Sequence, residues 1–160
     1  MKRRLIPFAI LTTLVAVFAT FALAPAGSGH QHLNPEGRDD DRPFSHAVLA
    51  GNTLYLSGGL GLDAKTGAPP ADVKDEVRML LDGMRAKLAL ADMTMDDLVS
   101  VQIFCDDIAL YGTFNAIYAT YFNDGYPARA FIGSGPLLFG AHFEIQGIAV
   151  RRHPAAEEAD

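Results

Sequence analysis

One arginine stands out in the sequence because its neighbours are small and apolar. Arg129 is the only charged residue in PARAFIG, residues 127–133. A guanidinium offers a planar pair of donors that fits a carboxylate, and small neighbours leave room for a ligand. The competing interpretation is a structural ion pair with Glu144 or Asp124. Arg129 is therefore a candidate group for binding a small carboxylated ligand.

Other residue types that support catalysis are scattered along the chain. His46 and His142 lie on predicted strands, where each could shuttle protons in a cleft, pack, or face solvent. The lone Cys105 has no partner for an internal disulfide and is interpreted as a small packing residue. No catalytic triad and no metal-ligand spacing can be assembled from the His, Cys and acidic residues. The sequence therefore predicts no metal and no cofactor.

The charge balance disfavours nucleic acid as a partner. The chain has 160 residues, with 13 basic and 19 acidic side chains and a formal charge of −6. Phosphate backbones are bound by basic stripes, and none is evident here. The glycines of SGGLGLD, residues 57–63, do not run directly into a helix, so this is interpreted as a tight strand exit and not a phosphate loop.

The amino terminus has the pattern of an export signal. MKRR is followed by an apolar stretch and by the small residues of FALAPAGSG. Cleavage after Ala24 or Ala26 is predicted, although an uncleaved membrane anchor is the alternative. A periplasmic or secreted location follows. Loss of the three basic residues at positions 2–4 would change the formal charge from −6 to −9.

Composition divides the chain into four segments. We predict a signal peptide over 1–26, a flexible linker over 27–42, one folded domain over 43–153 and a disordered tail over 154–160. The linker is rich in Gly, Pro, Asp and Asn. It contains His30 and His32, which make a poor metal site without further ligands.

Apolar periodicity predicts the elements of the domain. Gly51-Asn52 suits a two-residue hairpin turn, and Asp72 is a plausible helix N-cap, with Asp75 and Glu76 favourably placed near the positive end of the helix dipole. A first helix is expected to end near Ala91, with an apolar stripe at spacings of three and four: Val73, Val77, Leu80, Leu81, Met84 and Leu88. A second helix is expected, with Phe114, Ile117, Tyr118 and Tyr121 on one side.

The predicted order is ββαβαββ, an α+β domain with a mixed sheet. Crossover connections place both helices on one face of the sheet. The opposite face then remains uncovered and apolar. This arrangement predicts an oligomer.

Several segments together resemble the RidA/YjgF family of imine and enamine deaminases. They are PFSHAVLAGNTLYLSGGLGLDAKTG, TFNAIYATYF, YPARAF and FEIQGIAV, in that order, and they span residues 43–151. The resemblance implies a homotrimer of chorismate-mutase-like subunits, with small-molecule clefts between subunits. It also implies hydrolysis of 2-imino acids of the 2-aminoacrylate type to 2-oxo acids and ammonia.

The resemblance assigns roles to individual positions. Arg129 matches the family arginine that grips the substrate carboxylate. Asn115 matches a common family asparagine, for which a hydrogen bond between helix and sheet is the alternative role. Gly58 and Gly59 are expected to offer backbone groups to the cleft.

Several matched positions carry unusual residues for an active deaminase. Gln146 stands where the glutamate that orients the attacking water is expected, so general-base help would be lost. Phe44 replaces a tyrosine beside the substrate, and Phe131 replaces a cysteine. Gly59 stands where a glutamine is common.

Three functions remain open from the sequence. The first is an exported deaminase with weakened activity that relies on Arg129 and Gln146. The second is an exported trimer that binds small carboxylates without turnover, in a pocket made aromatic by Phe44, Phe131 and Phe139. The third is a chaperone-like interaction protein. Membrane contact is expected only if the export signal stays uncleaved.

Overall fold

The computed structural model describes residues 29–37 and 42–152. The predicted signal peptide, 1–26, and the predicted tail, 154–160, lie outside these residues. No helix within the described ranges is both long enough and apolar enough to cross a bilayer.

The domain is one mixed sheet with two α-helices, as predicted. The helices are α1, Val73–Ala89, and α2, Tyr111–Tyr118. The strands are β1 Gln31–Leu33, β2 Ala47–Ala50, β3 Thr53–Leu60, β4 Leu98–Cys105, β5 Ala128–Gly133 and β6 Phe143–Val150. The spatial order is β1-β2-β3-β6-β4-β5. Only β4 and β5 pair in parallel, and the other neighbours are antiparallel.

The predicted order ββαβαββ holds from β2 onward, but an additional strand precedes it. Residues 31–33 of the predicted flexible linker, 27–42, form β1, which pairs antiparallel with β2. Three residues are too few to show an apolar alternation. Backbone pairing to an exposed sheet edge creates this strand, and the sequence prediction missed it.

The predicted hairpin and helix stripe are both present. Gly51 adopts a positive φ of 60° in the turn between β2 and β3, and the side chain of Asp72 caps α1 by accepting from the Lys74 N–H at 2.8 Å. The α1 stripe is buried against the sheet through Val77, Leu80, Leu81, Met84 and Leu88. These contacts fix α1 across β3 and β6.

The sheet face opposite α1 carries apolar side chains that are open to solvent. Tyr55 is 50% exposed, and Ile132 and Val150 are each 37% exposed. In β3 and β6 they alternate with buried residues that face the helices, and in β5 Ile132 follows the half-buried Phe131. An apolar sheet face of this kind favours a further partner.

Glu76 lies in the first turn of α1, as the sequence predicted, and it also connects α1 to β6. Its carboxylate is fully buried and accepts hydrogen bonds from the backbone N–H groups of His142 (2.7 Å) and Phe143 (3.2 Å). The ring Nδ1 of His142 lies 2.7 Å from the same carboxylate. Charge-assisted bonds to the start of β6 thus anchor the first turn of α1.

The approach of α1 to the end of β3 requires a glycine at position 61. A Cβ placed there would overlap the backbone carbonyl of Glu76. We predict that Gly61→Ala lowers the free energy of unfolding by about 2–3 kcal/mol, since backbone cannot move aside cheaply.

Urea unfolding measures this change, with Gly83→Ala as the matched control. Gly83 lies in α1 with open space around it, so an added methyl should stabilise the helix by about 1 kcal/mol. Equal effects of the two substitutions would contradict the close packing at Gly61.

Candidate active site

Arg129 lies on β5 in an aromatic setting. Its register partner across the parallel ladder is Val101, a core residue, so the arginine projects toward the helix side of the sheet. The guanidinium carbon lies 4.8 Å from the Tyr118 ring centroid and 5.8 Å from those of Tyr111 and Phe131. Aromatic faces attract the cation and hold it beside α2.

Neither acid considered as a structural partner of Arg129 is paired with it in the described part of the chain. The carboxylate of Asp124 lies 3.1 Å from Arg152 Nη1. Glu144 lines a separate cavity beside Lys87. The described residues thus contain no ion pair that accounts for the guanidinium of Arg129.

A cavity of about 300 Å³ opens beside this guanidinium. Its lining residues are Asn115, Tyr118, Ala119, Tyr126, Pro127 and Arg129. Asn115 Oδ1 and the Tyr118 hydroxyl are buried there without a hydrogen-bond partner among the described residues. Burial raises the pKa of Tyr118 to about 12, against the opposing effect of the nearby Arg129 charge. Buried polar groups without partners are costly, which favours a polar ligand or partner group at this cavity.

A second cavity, of about 540 Å³, contains three of the predicted site residues and one unexpected carboxylate. Phe44, Gly58 and Gly59 line it together with Glu144. Gly58 packs so closely against Glu144 Oε1 that a Cβ at position 58 would overlap the carboxylate. We call this space, lined by Arg42, Phe44, His46, Ser57, Gly58, Gly59, Leu60, Leu62, Lys87, Leu138, Phe139 and Glu144, the Glu144 cavity.

Lys87 enters the Glu144 cavity from α1. Its Nζ donates to the carbonyls of Ser57 and Gly58, each at 3.0 Å, and to Ser57 Oγ at 3.1 Å. Burial lowers the pKa of Lys87 to about 8, an effect that the charge of Glu144 partly offsets. Lys87 was not predicted as a site residue, although it falls three residues after Met84, within the apolar stripe of α1.

Gln146 does not join the other predicted site residues. Its Nε2 donates to Gln102 Oε1 at 2.6 Å on the open sheet face, and it lines a different cavity with Tyr55 and Ile148. The carboxylate that lines the Glu144 cavity comes instead from Glu144, two residues before Gln146 on β6. Positions 144 and 146 share one sheet face, so the alternation alone did not identify which of them reaches Gly58.

The remaining candidates have local partners. Phe131 packs against Tyr111 and Phe114, with ring centroids 5.0 and 5.5 Å away. His46 lines the Glu144 cavity, with its Nδ1 3.1 Å from Asn34 Oδ1. His142 pairs with buried Glu76.

Cys105 is a buried packing residue. Its Sγ donates to the Asp107 carbonyl at 3.0 Å, and burial raises the pKa of the thiol. The described residues contain no cluster of three or more His, Cys, Asp or Glu side chains suited to a metal ion.

Comparison with known proteins gives consistent matches over the folded domain. A family model described as Endoribonuclease L-PSP matches residues 39–151. The 2-iminobutanoate/2-iminopropanoate deaminase of Escherichia coli is 34% identical over 113 residues, covering 69% of this chain and 88% of the relative. The bovine protein of the same name is 32% identical over 142 residues, covering 88% and 94%.

A solved structure has the same fold. The crystal structure of the YjgF gene product of E. coli aligns with a TM-score of 0.67 at 32% identity and covers 76% of this chain and 96% of that one. The chain therefore shares its mixed sheet with two helices with the E. coli YjgF gene product.

The unpaired hydroxyl at the Arg129 cavity gives a stability prediction. We expect Tyr118→Phe to leave the free energy of unfolding unchanged or raise it by up to about 1 kcal/mol, because the lost hydroxyl has no partner. Chemical denaturation measures the change.

Tyr121→Phe is the matched control. The Tyr121 hydroxyl donates to Asp82 Oδ1 at 2.9 Å, so its removal should cost about 0.5–1 kcal/mol. A larger loss for Tyr118→Phe than for Tyr121→Phe would show that the Tyr118 hydroxyl is satisfied in solution.

Proposed function

The chain belongs to the RidA/YjgF family, and we propose that it hydrolyses 2-imino acids or their enamine tautomers to 2-oxo acids and ammonia. The deaminase names of the E. coli and bovine relatives support this reaction class. The observation that carries the proposal is the Arg129 guanidinium, which lacks an acidic partner among the described residues and faces a cavity with the unpaired Asn115 Oδ1.

The catalytic groups fall into two half-sites on one chain. Arg129 and Asn115 line one cavity, and Phe44, Gly58 and Glu144 line another, with no lining residue in common. We propose that a complete site forms when a second copy brings its Arg129 half-site to the Glu144 cavity of the first.

A homotrimer is the assembly that we propose. It would cover the open sheet face that carries Tyr55 and Val150, each more than a third exposed in the single chain. Burial of such apolar side chains is the usual driving force for association. The family resemblance supports three copies arranged in this way.

Arg129 would bind and orient the substrate. Its fork of donors would hold the carboxylate of the imino acid bidentately, and the surrounding aromatic rings would limit competing hydration. Asn115 Oδ1 would accept from the imino nitrogen. Orientation of an electrophilic carbon in this way lowers the entropic cost of attack by water.

Glu144 would carry the proton transfers. With the imine protonated on nitrogen, the Glu144 carboxylate accepts a proton from water as the water oxygen bonds to the imino carbon, which gives a neutral carbinolamine. Glu144 then passes that proton to the amino group, and it takes up the hydroxyl proton as the carbonyl forms, the carbon–nitrogen bond breaks and ammonia leaves. Water supplies the oxygen of the 2-oxo acid. We propose Glu144 for this role in place of Gln146, because Gln146 lines a different cavity in the single chain.

The family model is named after an endoribonuclease, but we do not propose RNA cleavage for this protein. The formal charge of −6 opposes binding to phosphate backbones. A small carboxylate remains the proposed ligand, with neither metal nor cofactor proposed.

Export is the second part of the proposal. The predicted signal over 1–26 supports a periplasmic or secreted protein, and it would bring the enzyme to imines outside the cytoplasm. The non-catalytic carboxylate-binding trimer predicts the same location and ligand, so turnover separates it from the deaminase.

A trapping assay tests the chemistry. A serine dehydratase generates 2-aminoacrylate, semicarbazide traps it, and the protein competes by hydrolysis. We expect Arg129→Ala and Glu144→Gln each to reduce kcat/KM by about 100-fold or more, as they remove substrate orientation and proton transfer.

Gln146→Leu is the matched control on the same strand as Glu144 and should stay within about threefold of wild type. Ligand-induced thermal stabilisation without any ammonia release would instead support the non-catalytic binder. If the protein shows no ligand binding and no turnover, the remaining alternative is the chaperone-like interaction protein.

Mixing the two inactive variants tests the location of the site. In a trimer reassembled from equal amounts of Arg129→Ala and Glu144→Gln, about one quarter of the sites would combine an intact arginine with an intact glutamate from different copies. We expect activity near a quarter of wild type after reassembly, and none if each chain supplies a whole site.

A further inference from the structure

Lys87 occupies an unusual place for a lysine. It lies half-buried on α1 between residues of the apolar stripe, and its ammonium reaches the backbone of β3. A buried ammonium is stable only when hydrogen bonds replace its hydration. The three acceptors around Nζ match the three N–H donors of the charged form.

The acceptors lie at an irregularity in the sheet. The register between β3 and β6 shifts between Leu56 and Gly59. Successive carbonyls of a regular strand point to opposite sides, yet the carbonyls of Ser57 and Gly58 both accept from Lys87 Nζ. Two carbonyl dipoles turned the same way repel each other, and a cation between them removes that repulsion.

The hydrogen bonds of Lys87 extend beyond this register shift, which we call the bulge of β3. Ser57 Oγ accepts from Lys87 Nζ and donates to the His46 carbonyl at 3.0 Å. Lys87 thus links α1, the bulge and the chain entering β2. All of these groups line the Glu144 cavity.

Gly59 leaves room for the ammonium. A Cβ at position 59 would lie 3.1 Å from Lys87 Nζ, which is tighter than ordinary contact. Gly58, in turn, has no room for a Cβ because of Glu144 Oε1. Lys87 and Glu144 thus pack against adjacent glycines of β3.

We propose that Lys87 is a positioning residue of the Glu144 cavity, which holds the bulge of β3 so that Gly58 and Glu144 keep their catalytic arrangement. Lys87 does not bind the substrate, because its three donors are already engaged. This positioning role rests on the proposed deaminase function only where it is tested by enzyme kinetics.

The charge of Lys87 gives the proposal a pH signature. The charged groups that face it are Glu144 on β6 and Arg42 before β2, with His46 also in the cavity. The pKa of Lys87 is lowered from 10.5 to about 8 by burial. Above this pH the neutral amine keeps two donors for three acceptors, so the bulge loses one contact, although release of the half-buried charge stabilises the fold as a whole.

The kinetic test compares Lys87→Met, Lys87→Arg and the control Lys74→Met, which changes an exposed lysine of α1. We expect wild-type kcat to fall as the pH rises past about 8, with KM little changed because Arg129 still binds the carboxylate. Lys87→Met should lose about 10-fold in kcat at pH 7 and show no alkaline fall. Lys87→Arg, which stays charged, should retain activity to higher pH.

A second measurement does not depend on activity. Amide exchange over residues 55–62, corrected for intrinsic rates, should rise about 10-fold in Lys87→Met and remain at the wild-type level in Lys74→Met. The unfolded chain binds more protons than the folded chain between pH 8 and 10.5, so the unfolding temperature of wild type should rise relative to Lys87→Met across that window.

The outcomes separate the two proposals. A wild-type protein without imine turnover overturns the proposed function, while exchange and unfolding still decide the role of Lys87. Unchanged exchange at the bulge in Lys87→Met overturns the positioning role even if the enzyme is active. An alkaline fall that persists in Lys87→Met assigns the titration to another group and also overturns it.

Discussion

The shape of the candidate site depends on one irregularity in the sheet, the register shift of β3 between Leu56 and Gly59. Without that shift, the alternation of β3 would continue and its carbonyls would point to opposite sides. With it, two carbonyls meet the Lys87 ammonium and Gly58 packs against Glu144. A carboxylate is thereby held at the wall of a cavity, which proton transfer to and from water requires.

Buried or half-buried charges recur where secondary-structure elements meet. The Glu76 carboxylate joins α1 to β6, Lys87 joins α1 to β3, and Arg129 is held by the rings near α2. The first two are satisfied by backbone groups, so they act on the fold. Arg129 is surrounded by aromatic faces, which leave its hydrogen-bond donors available for a ligand. This difference in surroundings is why Arg129, and neither Glu76 nor Lys87, is the proposed ligand-binding charge.

The two cavities divide the proposed chemistry between recognition and proton transfer. The Arg129 cavity offers a cation and an amide oxygen, and the Glu144 cavity offers a carboxylate beside apolar and aromatic walls. In the proposed assembly such a division would couple catalysis to association, because a single copy would bind the ligand without transferring protons to it. The open apolar face of the sheet supplies a physical reason for copies to associate.

The sequence by itself determined the elements and their order from β2 onward, since apolar periodicity, the Gly51 turn and the Asp72 cap are local properties. It also singled out Arg129, because a guanidinium among small apolar residues is visible in the sequence alone. Only the tertiary structure decided that Glu144, and not Gln146, reaches Gly58, that Glu76 is buried and that Lys87 is half-buried. These outcomes depend on strand register and on contacts between segments far apart in sequence, such as Lys87 with Ser57. Residue type and spacing do not specify such contacts, because the sheet pairing and the bulge fix them during folding.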